Sequence, residues 1–270
     1  MAPRTPQARL RSTAAGITIA LAWAASAQAD VLHATYRVSL IGLPIGAVHL
    51  YANLSPTSYA IAGDAKLTGL AKLVSNGRGA SSGAGAIVEG RVSPASFATI
   101  ASSSNMTRTI RMALAGNAVT AVDISPPFQD KPDRVPLGPN DERGVVDPAG
   151  AVILPAPPSG PMLSPAACNR KVPIFDGYTR FDVDLSYVGE RTVSTKGYKG
   201  PVAICAARYV PISGHSRDRP ATKFMADNKD LEVWLAPIAS DHILFPFRVS
   251  VRTMVGTAVV EAQEFRIDEK

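Results

Sequence analysis

The stretch Val172–Tyr187, VPIFDGYTRFDVDLSY, predicts the fold class more clearly than any other part of the chain. In its second half the apolar side chains fall at every other residue, at Phe181, Val183 and Leu185. A period of two is typical of a β-strand with one face in a hydrophobic core. The pair Asp176-Gly177 lies between two such runs and predicts a two-residue type I′ turn with positive φ at both residues. The stretch therefore predicts an antiparallel hairpin.

The polar residues of this strand have two interpretations. Asp182 and Asp184 lie two residues apart beside Arg180, and paired carboxylates perform acid–base chemistry or bind calcium. Carboxylates on the outer face of a half-buried strand are far more often simply solvated. We therefore expect Asp182 and Asp184 to be solvated.

Similar alternating runs recur along the chain and predict about a dozen strands in all. The others are 32–40, 46–54, 59–63, 84–89, 97–102, 106–114, 118–124, 192–195, 203–209, 230–237, 243–253 and 257–267. Gly42–Gly46 is the predicted turn between the first two. The apolar residues of 67–74 fall at helical spacing and predict a short helix there. Asp147 as the helix cap and Pro148 at the first helical position predict another over 147–154.

The segment 126–165 contains 11 prolines and predicts a long crossing segment without a sheet of its own. The strands on its two sides show no clear boundary between them. Residues 30–270 are therefore predicted to form one domain. The predicted fold class is all-β: a single strongly curved antiparallel sheet, a half-barrel or β-spiral, with one or two short helices.

Residues 1–29 have the three parts of a secretory signal peptide. Arginines occupy positions 4, 9 and 11, the run 14–25 is almost wholly apolar, and Ala27-Gln28-Ala29 precedes Asp30 as a small-x-small cleavage site. The apolar run is shorter than the roughly 20 residues that cross a bilayer as a helix. We expect cleavage after Ala29, export, and a mature protein that does not span the membrane.

The charge of the chain after residue 29 is close to balanced. The first 29 residues hold three of the 28 basic residues and none of the 22 acidic ones, which leaves 25 basic and 22 acidic residues. The remaining lysines and arginines are scattered along the sequence. We therefore expect no nucleic-acid partner.

Cys168 and Cys205 are the only cysteines. A pair of cysteines in an oxidising compartment is usually bridged, so we predict a disulfide between them. The alternative is a metal site or a catalytic thiol. No CxxC motif occurs, and the nearest histidine, His215, lacks the spacing of a zinc site. We expect no bound metal.

The loop 212–219, ISGHSRDR, carries the best candidates for exposed functional side chains. His215, Arg217 and Arg219 together offer donors for an anionic group, and loops often carry binding residues. The alternative is a loop that is merely solvated, which is the commoner case for this composition.

Two short motifs point towards enzymes. Gly79–Gly83, GASSG, matches the G-x-S-x-G pattern of serine hydrolases, with Asp176 and His215 following in the order Ser, Asp, His. A nucleophile elbow needs a strand before its serine and a helix after it, whereas here a strand-like run follows. Gly83-Ala84-Gly85 lacks the later glycine of a dinucleotide site. We expect no enzyme activity and no cofactor.

Several motifs in order resemble the DUF3108 family of exported bacterial proteins of unknown function. They are YRVSLIGLPIG (36–46), Asp147-Pro148, Cys168, VPIFDGYTR (172–180), GYKGP (197–201), YVPISGH (209–215) and EVWLAP (232–237). The resemblance covers nearly the whole chain after residue 29. It implies a periplasmic protein of a Gram-negative envelope, no assigned catalytic residues, and a curved sheet similar to those of periplasmic lipoprotein carriers.

These observations favour a non-enzymatic periplasmic protein of cell-envelope maintenance. It would bind an apolar ligand, such as a lipid or a lipoprotein, or a segment of an envelope protein on the concave face of its sheet. Two alternatives stay open. One is a protein-interaction or assembly factor with a filled core, and the other is an unrecognised serine hydrolase.

Overall fold

The alternating runs form one large antiparallel sheet in the computed structural model, which describes residues 29–69, 77–129, 131–240 and 242–268. Its strands are β1 (Asp30–Leu40), β2 (Leu43–Leu54), β3 (Ser58–Leu67), β4 (Arg78–Val88), β5 (Arg91–Ser102), β6 (Thr107–Ala115), β7 (Ala118–Ser125), β8 (Leu154–Pro155), β9 (Arg170–Phe175), β10 (Arg180–Thr195), β11 (Tyr198–Ser213), β12 (Leu231–Ile238), β13 (Ile243–Thr253) and β14 (Gly256–Asp268). A 3-10 turn (Gly150–Val152) and two short helices, α1 (Pro165–Cys168) and α2 (Pro220–Asp227), complete the described elements. The all-β prediction is confirmed.

Strands that follow one another in sequence are neighbours in the sheet almost throughout. The order is β7-β6-β5-β4-β3-β2-β1-β14-β13-β12-β11-β10-β9, and the short β8 pairs with β13. β1 pairs with β14 from Val31, opposite Asp268, to Leu40, opposite Ala258. The first and last strands therefore meet in the middle of the sheet. β7 and β9 are the two edge strands, and the sheet does not close on itself.

The proline-rich segment crosses the concave side of the sheet and connects its two edges. Near β7, the backbone N–H of Val119 donates to the carbonyl of Glu142 (2.9 Å). Near β9, Val146 donates to Pro173 (2.9 Å) and Phe175 donates to Val146 (3.0 Å). Val146 and Ile153 of the segment are buried in the main core. The segment therefore occupies the middle of the concave side of the sheet, and a cleft remains at each end of it.

The predicted disulfide is present. Cys168, at the end of α1, is bonded to Cys205 on β11, with Cα atoms 5.5 Å apart. Both residues are fully buried, together with Leu154, Ala167 and other apolar residues of a second core cluster. The bond therefore attaches the last part of the crossing segment to the sheet.

The sheet has two ends that differ in composition. Because neighbouring strands are antiparallel, β1, β3, β5, β7, β9, β11 and β13 all end on the same side. We call this end the upper rim and the opposite end the lower rim. The upper rim carries the turns Ile41-Gly42, 103–106, 176–179 and Met254-Val255 and the loop 214–219.

The hairpin predicted at Val172–Tyr187 is confirmed, but its turn differs from the prediction. Gly177 has a φ of +96°, whereas Asp176 is not among the residues of positive φ, so the turn is not of type I′. Phe175 pairs with Arg180, and four residues connect the strands. The Asp176 carboxylate accepts hydrogen bonds from the backbone N–H groups of Tyr178 (2.9 Å) and Thr179 (2.6 Å). These bonds stabilise the longer turn.

The prediction that Asp182 is solvated is wrong. Its side chain is buried. The carboxylate accepts a hydrogen bond from Arg180 (2.5 Å) and forms an ion pair with Lys171 (3.2 Å). The long cationic side chains cover the carboxylate, which a period-two pattern does not foresee. Asp184 is half-buried: its side chain is 44% exposed, its Oδ1 atom is buried, and Lys171 lies 3.7 Å away. Leu185 of the opposite face is buried, and Phe181 and Val183 pack against the cores.

Several predicted boundaries also shift. The first turn is Ile41-Gly42 rather than Gly42–Gly46, because Gly46 lies at an irregularity of the β1–β2 register. The helix predicted over 147–154 is reduced to the 3-10 turn, and α2 has no counterpart among the predictions. Of the helix predicted over 67–74, residues 70–74 lie outside the described residues, as does the predicted signal peptide up to residue 28.

Candidate functional site

A cleft of about 710 Å³ opens at the upper rim, where the crossing segment leaves the sheet. We call it the upper cleft. Its wall combines the start of β6, residues 126–134, the β9–β10 turn and the loop 214–219. The basic side chains in the wall are Arg108, Lys131, Arg134, His215 and Arg219. The aromatic side chains are Phe128, Tyr178 and Tyr209.

Backbone hydrogen bonds hold the two loops of the cleft together. Val135 donates to the carbonyl of His215 (2.9 Å), and Gly214 donates to the carbonyl of Val135 (2.8 Å). Gly214 has a φ of +78°, and a Cβ atom there would overlap the carbonyl oxygen of Tyr178. Glycine is therefore required at this position. The pairing fixes the imidazole of His215 in the wall of the cleft.

Two arginines and two aromatic rings form a chain of stacked contacts along the cleft. The guanidinium carbon of Arg108 lies 3.9 Å from the ring centroid of Phe128, and that of Arg134 lies 4.0 Å from the centroid of Tyr178. The two ring centroids are 4.1 Å apart. Arg134 also donates to the carbonyls of Gly214 (3.2 Å) and Tyr178 (3.0 Å). Arg108 donates to the carbonyls of Pro126 (3.0 Å) and Pro127 (3.4 Å). Stacking and hydrogen bonds thus hold both guanidinium groups in place.

The wall of the upper cleft is positively charged. None of its five basic side chains forms an ion pair with a carboxylate in the part of the chain that the structure describes. The acidic residue in the described wall is Asp176, and burial raises the pKa of its carboxyl. The pKa of Tyr209 is also raised, mainly by burial and to a smaller extent by the charge of the nearby Asp176 carboxyl. The chemistry suits an anionic group beside an apolar or aromatic one.

The structure brings together two of the three predicted loop residues. His215 and Arg219 line the upper cleft, whereas Arg217 does not. The side chain of Arg217 is exposed, and its backbone N–H donates to the carbonyl of Asp133 (2.9 Å). Sequence analysis did not identify Arg108, Lys131, Arg134 or Phe128. The basic and aromatic content of residues 126–134 is a local signal for Phe128, Lys131 and Arg134. No local signal marks Arg108, which lies on β6.

A second cleft of similar size, about 690 Å³, lies at the lower rim and has different chemistry. Its wall consists mainly of glycine, alanine, proline and aliphatic residues of 144–158 and 166–173. Arg170 there donates to the carbonyls of Pro155 (2.8 Å) and Ala166 (3.1 Å), and burial lowers its pKa. Lys171 pairs with Asp182 and Asp184. Two of the three basic side chains in this wall, Arg170 and Lys171, therefore have partners. Arg91, the third, forms no ion pair within the described residues.

Ser81 does not lie in a nucleophile elbow. The whole GASSG motif is inside β4, in a continuous pairing with β3 and β5. Ser81 donates to the carbonyl of Ala98 (3.3 Å) and lines a small apolar cavity of about 310 Å³ on the inner face of the sheet. Asp176 and His215 line the upper cleft instead. The structure therefore does not assemble the three residues into a triad.

The described residues contain no group of three His, Cys, Asp or Glu side chains that is placed to hold a metal ion. Across these same ranges, no helix is both long and apolar enough to cross a membrane.

Comparison with known proteins identifies a family but no activity. The family described as "Protein of unknown function (DUF3108)" matches residues 35–263. No curated protein matches the chain. Among solved structures, the chain is similar to a β-barrel-like protein of the domain of unknown function DUF1849 from Brucella abortus. The identity is 9%, the TM-score is 0.45, and the match covers 90% of this chain and 99% of that one.

Proposed function

The chain belongs to the DUF3108 family, and we propose that it is a non-enzymatic binding protein of the bacterial envelope that holds an anionic amphiphile. The upper cleft is the proposed binding site. The observation that carries the proposal is the wall of this cleft, in which five basic side chains meet three aromatic rings. Clefts of about 300 to 1,000 Å³ are typical of small-molecule sites.

The basic side chains would bind the acidic headgroup. Lys131 and Arg219 are exposed and belong to different loops, so they approach the headgroup from two sides. Guanidinium and ammonium groups bind carboxylate and phosphate oxygens by charge-assisted hydrogen bonds. His215 is half-buried in the same wall.

The rings and aliphatic side chains would bind the apolar part of the ligand. Phe128 is half-buried, and Met106, Ile110, Pro126 and Pro127 lie beside it in the wall. Each methylene group that leaves water for such a surface contributes about 0.8 kcal/mol. The cleft therefore favours a headgroup that carries a hydrocarbon chain over the headgroup alone.

Titration calorimetry with dodecyl phosphate tests this proposal. Arg217 and Arg219 provide a matched pair, because both are exposed arginines of one loop and only Arg219 lines the cleft. We expect Arg219→Ala to weaken binding by about fivefold, as the loss of one exposed charge contact implies. Arg217→Ala should leave the affinity unchanged.

Dodecyltrimethylammonium and inorganic phosphate are the ligand controls. The first has the chain with the opposite charge, and the second has the headgroup without the chain. We expect neither to bind comparably. Equal binding of dodecyl phosphate and dodecyltrimethylammonium, or equal losses in the two arginine variants, would refute a charge-selective upper cleft.

Export of the protein is the second part of the proposal, and it is supported by the three-part segment at residues 1–29. The protein should accumulate in the periplasmic fraction with Asp30 as its first residue. Amino-terminal sequencing of the fractionated protein decides the matter. Intact Met1 on cytoplasmic protein would contradict it.

The interaction-factor alternative is favoured by one specific feature, the edge strand β7. Five of its eight residues are exposed, and beyond Val119, which donates to the carbonyl of Glu142, β7 has only β6 as a neighbour in the described structure. An open edge can accept a strand from a partner protein. Under this alternative Val122→Pro on β7 should abolish partner binding, whereas Arg219→Ala should not affect it.

A further inference from the structure

Two hairpin tips at the upper rim expose large aliphatic side chains side by side. Ile41 and Leu43 at the β1–β2 turn are 68% and 66% exposed, and Met254 and Val255 at the β13–β14 turn are 59% and 66% exposed. The backbone N–H of Ile41 donates to the carbonyl of Thr257 (2.9 Å), which places the tips next to each other. Together these four side chains form what we call the apolar tip.

The backbone of Ile41 is strained. Ile41 and Gly42 are the two central residues of the turn, with φ values of +53° and +76°. A β-branched residue rarely adopts positive φ, because its Cβ substituents crowd the backbone. Asn followed by Gly is the preferred pair for such a turn. The chain instead has a strained isoleucine that is largely exposed and whose Cγ1 and Cδ1 atoms lie beside Gly256 of the adjacent tip.

A row of basic side chains lies behind the apolar tip on the convex face of the sheet. Arg37, Lys66 and Arg78 are exposed and occupy one register row, through Ala47 of β2. Lys66 and Arg78 are directly opposite each other, an arrangement that repulsion destabilises. Within the described residues none of the three forms an ion pair, and Glu261, opposite Arg37, pairs with Arg248 instead.

We infer that the upper rim docks on the surface of a lipid bilayer that contains anionic lipids. The apolar tip would enter the boundary between headgroups and acyl chains, about 5 to 10 Å deep. Arg37 precedes Ile41 by four residues, or about 13 Å of strand, so the basic row would lie at the level of the phosphates. Positive charge behind an exposed apolar tip complements a negatively charged membrane surface.

The position of the upper cleft agrees with this orientation. Met106, in the turn between β5 and β6, lies at the same rim and lines that cleft. A protein docked by its apolar tip would therefore present the mouth of the upper cleft to the bilayer. The docking inference does not depend on the proposed ligand, because it rests on residues outside the cleft wall.

Vesicle flotation tests the inference. The protein is used as it accumulates in the expressing cell, with its first residue read by mass spectrometry. Vesicles of phosphatidylcholine alone are compared with vesicles of equimolar phosphatidylcholine and phosphatidylglycerol. We expect binding to the mixed vesicles that decreases as salt is added. Ile41→Asn combined with Met254→Ser should reduce the vesicle partition coefficient at least about tenfold.

Two further variants complete the design. Val88→Ser removes an aliphatic side chain that is 54% exposed at the lower rim, and it should leave vesicle binding unchanged. Lys66→Gln combined with Arg78→Gln should reduce the preference for anionic vesicles. Each variant is also titrated with dodecyl phosphate in the absence of vesicles. Unchanged affinity there separates a failure of docking from a failure of the upper cleft.

Three outcomes would overturn the inference. The first is equal binding of the wild type and the tip variant to mixed vesicles, and the second is an equal loss in Val88→Ser. The third is a wild-type protein that ignores vesicles but forms a dimer that Ile41→Asn dissociates. The apolar tip would then be an interface between two copies of the chain.

Discussion

The hairpin turns of the two rims solve the same geometric problem with different side chains. Ile41-Gly42 at the upper rim and Glu89-Gly90 at the lower rim both have positive φ at two successive residues. The lower-rim turn has a charged, unbranched residue at the strained position, and the upper-rim turn has isoleucine. Under the proposed membrane docking, the upper-rim turn faces the bilayer and the lower-rim turn faces solvent.

The two clefts also differ in the contacts that their basic side chains make. They are nearly equal in volume, and in both clefts arginine side chains donate to backbone carbonyls. In the lower cleft Lys171 also pairs with Asp182 and Asp184. In the upper cleft Arg108 and Arg134 stack on aromatic rings instead, and no basic side chain of its wall has a described ion pair. Under the proposed function, the upper rim is the binding region and the residues below it stabilise the fold.

Among changes below the upper rim, removal of the disulfide should have the largest effect on stability. Replacing Cys168 and Cys205 together by alanine should lower the free energy of unfolding by about 4 kcal/mol, as chain entropy implies for this loop length. Denaturant melts measure the change. Under conditions where the variant is folded, its affinity for dodecyl phosphate should equal that of the wild type. A parallel loss of affinity would contradict the proposal that the upper rim binds the ligand and that the residues below it only stabilise the fold.

Asp182→Ala is expected to have the next largest effect. It leaves Arg180, which is mostly buried, without its 2.5 Å carboxylate partner, and should cost about 3 kcal/mol. Asp184→Ala on the same strand face is the matched control, and should change stability by less than about 1 kcal/mol because its ion pair with the exposed Lys171 is screened by solvent. Similar melting curves for the two variants would show that Asp182 is not a structural residue.

A smaller effect concerns Asp147, at the centre of the crossing segment. Its Oδ1 atom accepts hydrogen bonds from Ala149 (2.8 Å) and Gly150 (3.0 Å), while burial raises the pKa of the carboxyl. A carboxyl whose pKa is raised by folding stabilises the fold below its unfolded pKa, near 3.9, and loses that contribution as the pH rises through the folded pKa. Asp147→Asn keeps an oxygen at Oδ1 and cannot ionise.

The stability of Asp147→Asn relative to wild type should therefore increase as the pH rises from acid to neutral. Unfolding curves at a series of pH values measure this difference. A relative stability that stays constant across the series, or that falls, would show that Asp147 does not titrate in a buried environment.

The smallest expected effects concern the two strained turns. Ile41→Asn should increase the free energy of unfolding by about 1 kcal/mol, because asparagine tolerates positive φ better than a β-branched residue. Glu89→Asn should gain less, about 0.5 kcal/mol, since glutamate is unbranched at Cβ. If Ile41→Asn instead destabilises the protein, the isoleucine contributes to packing and the comparison of the rims weakens.

Most of the fold could be predicted from sequence, because strand alternation and turn residues are local signals. The exceptions have physical causes. Gly42–Gly46 contains two further turn-forming residues, Pro44 and Gly46, but they lie at an irregularity of the β1–β2 pairing rather than in the turn. The Asp176 carboxylate bonds two backbone N–H groups and so favours a turn longer than type I′.

The upper cleft could be predicted only in part. His215 and Arg219 were recognisable because a basic loop is a local feature. Arg108 lies on β6 and Arg134 lies in the crossing segment, and they join the loop only because the crossing segment brings both edges of the sheet together. Contacts between residues so distant in sequence depend on the tertiary fold, and no local pattern encodes them.

Photolabelling with a diazirine-bearing alkyl phosphate, followed by peptide mapping, tests most directly whether the upper cleft is the binding site. The probe samples both clefts of the same molecule in one experiment. We expect labelled peptides from 126–134 and 214–222, with competition by unlabelled dodecyl phosphate and reduced labelling in Arg219→Ala. Labelling confined to 144–158 and 166–173 would place the ligand in the lower cleft and contradict the account.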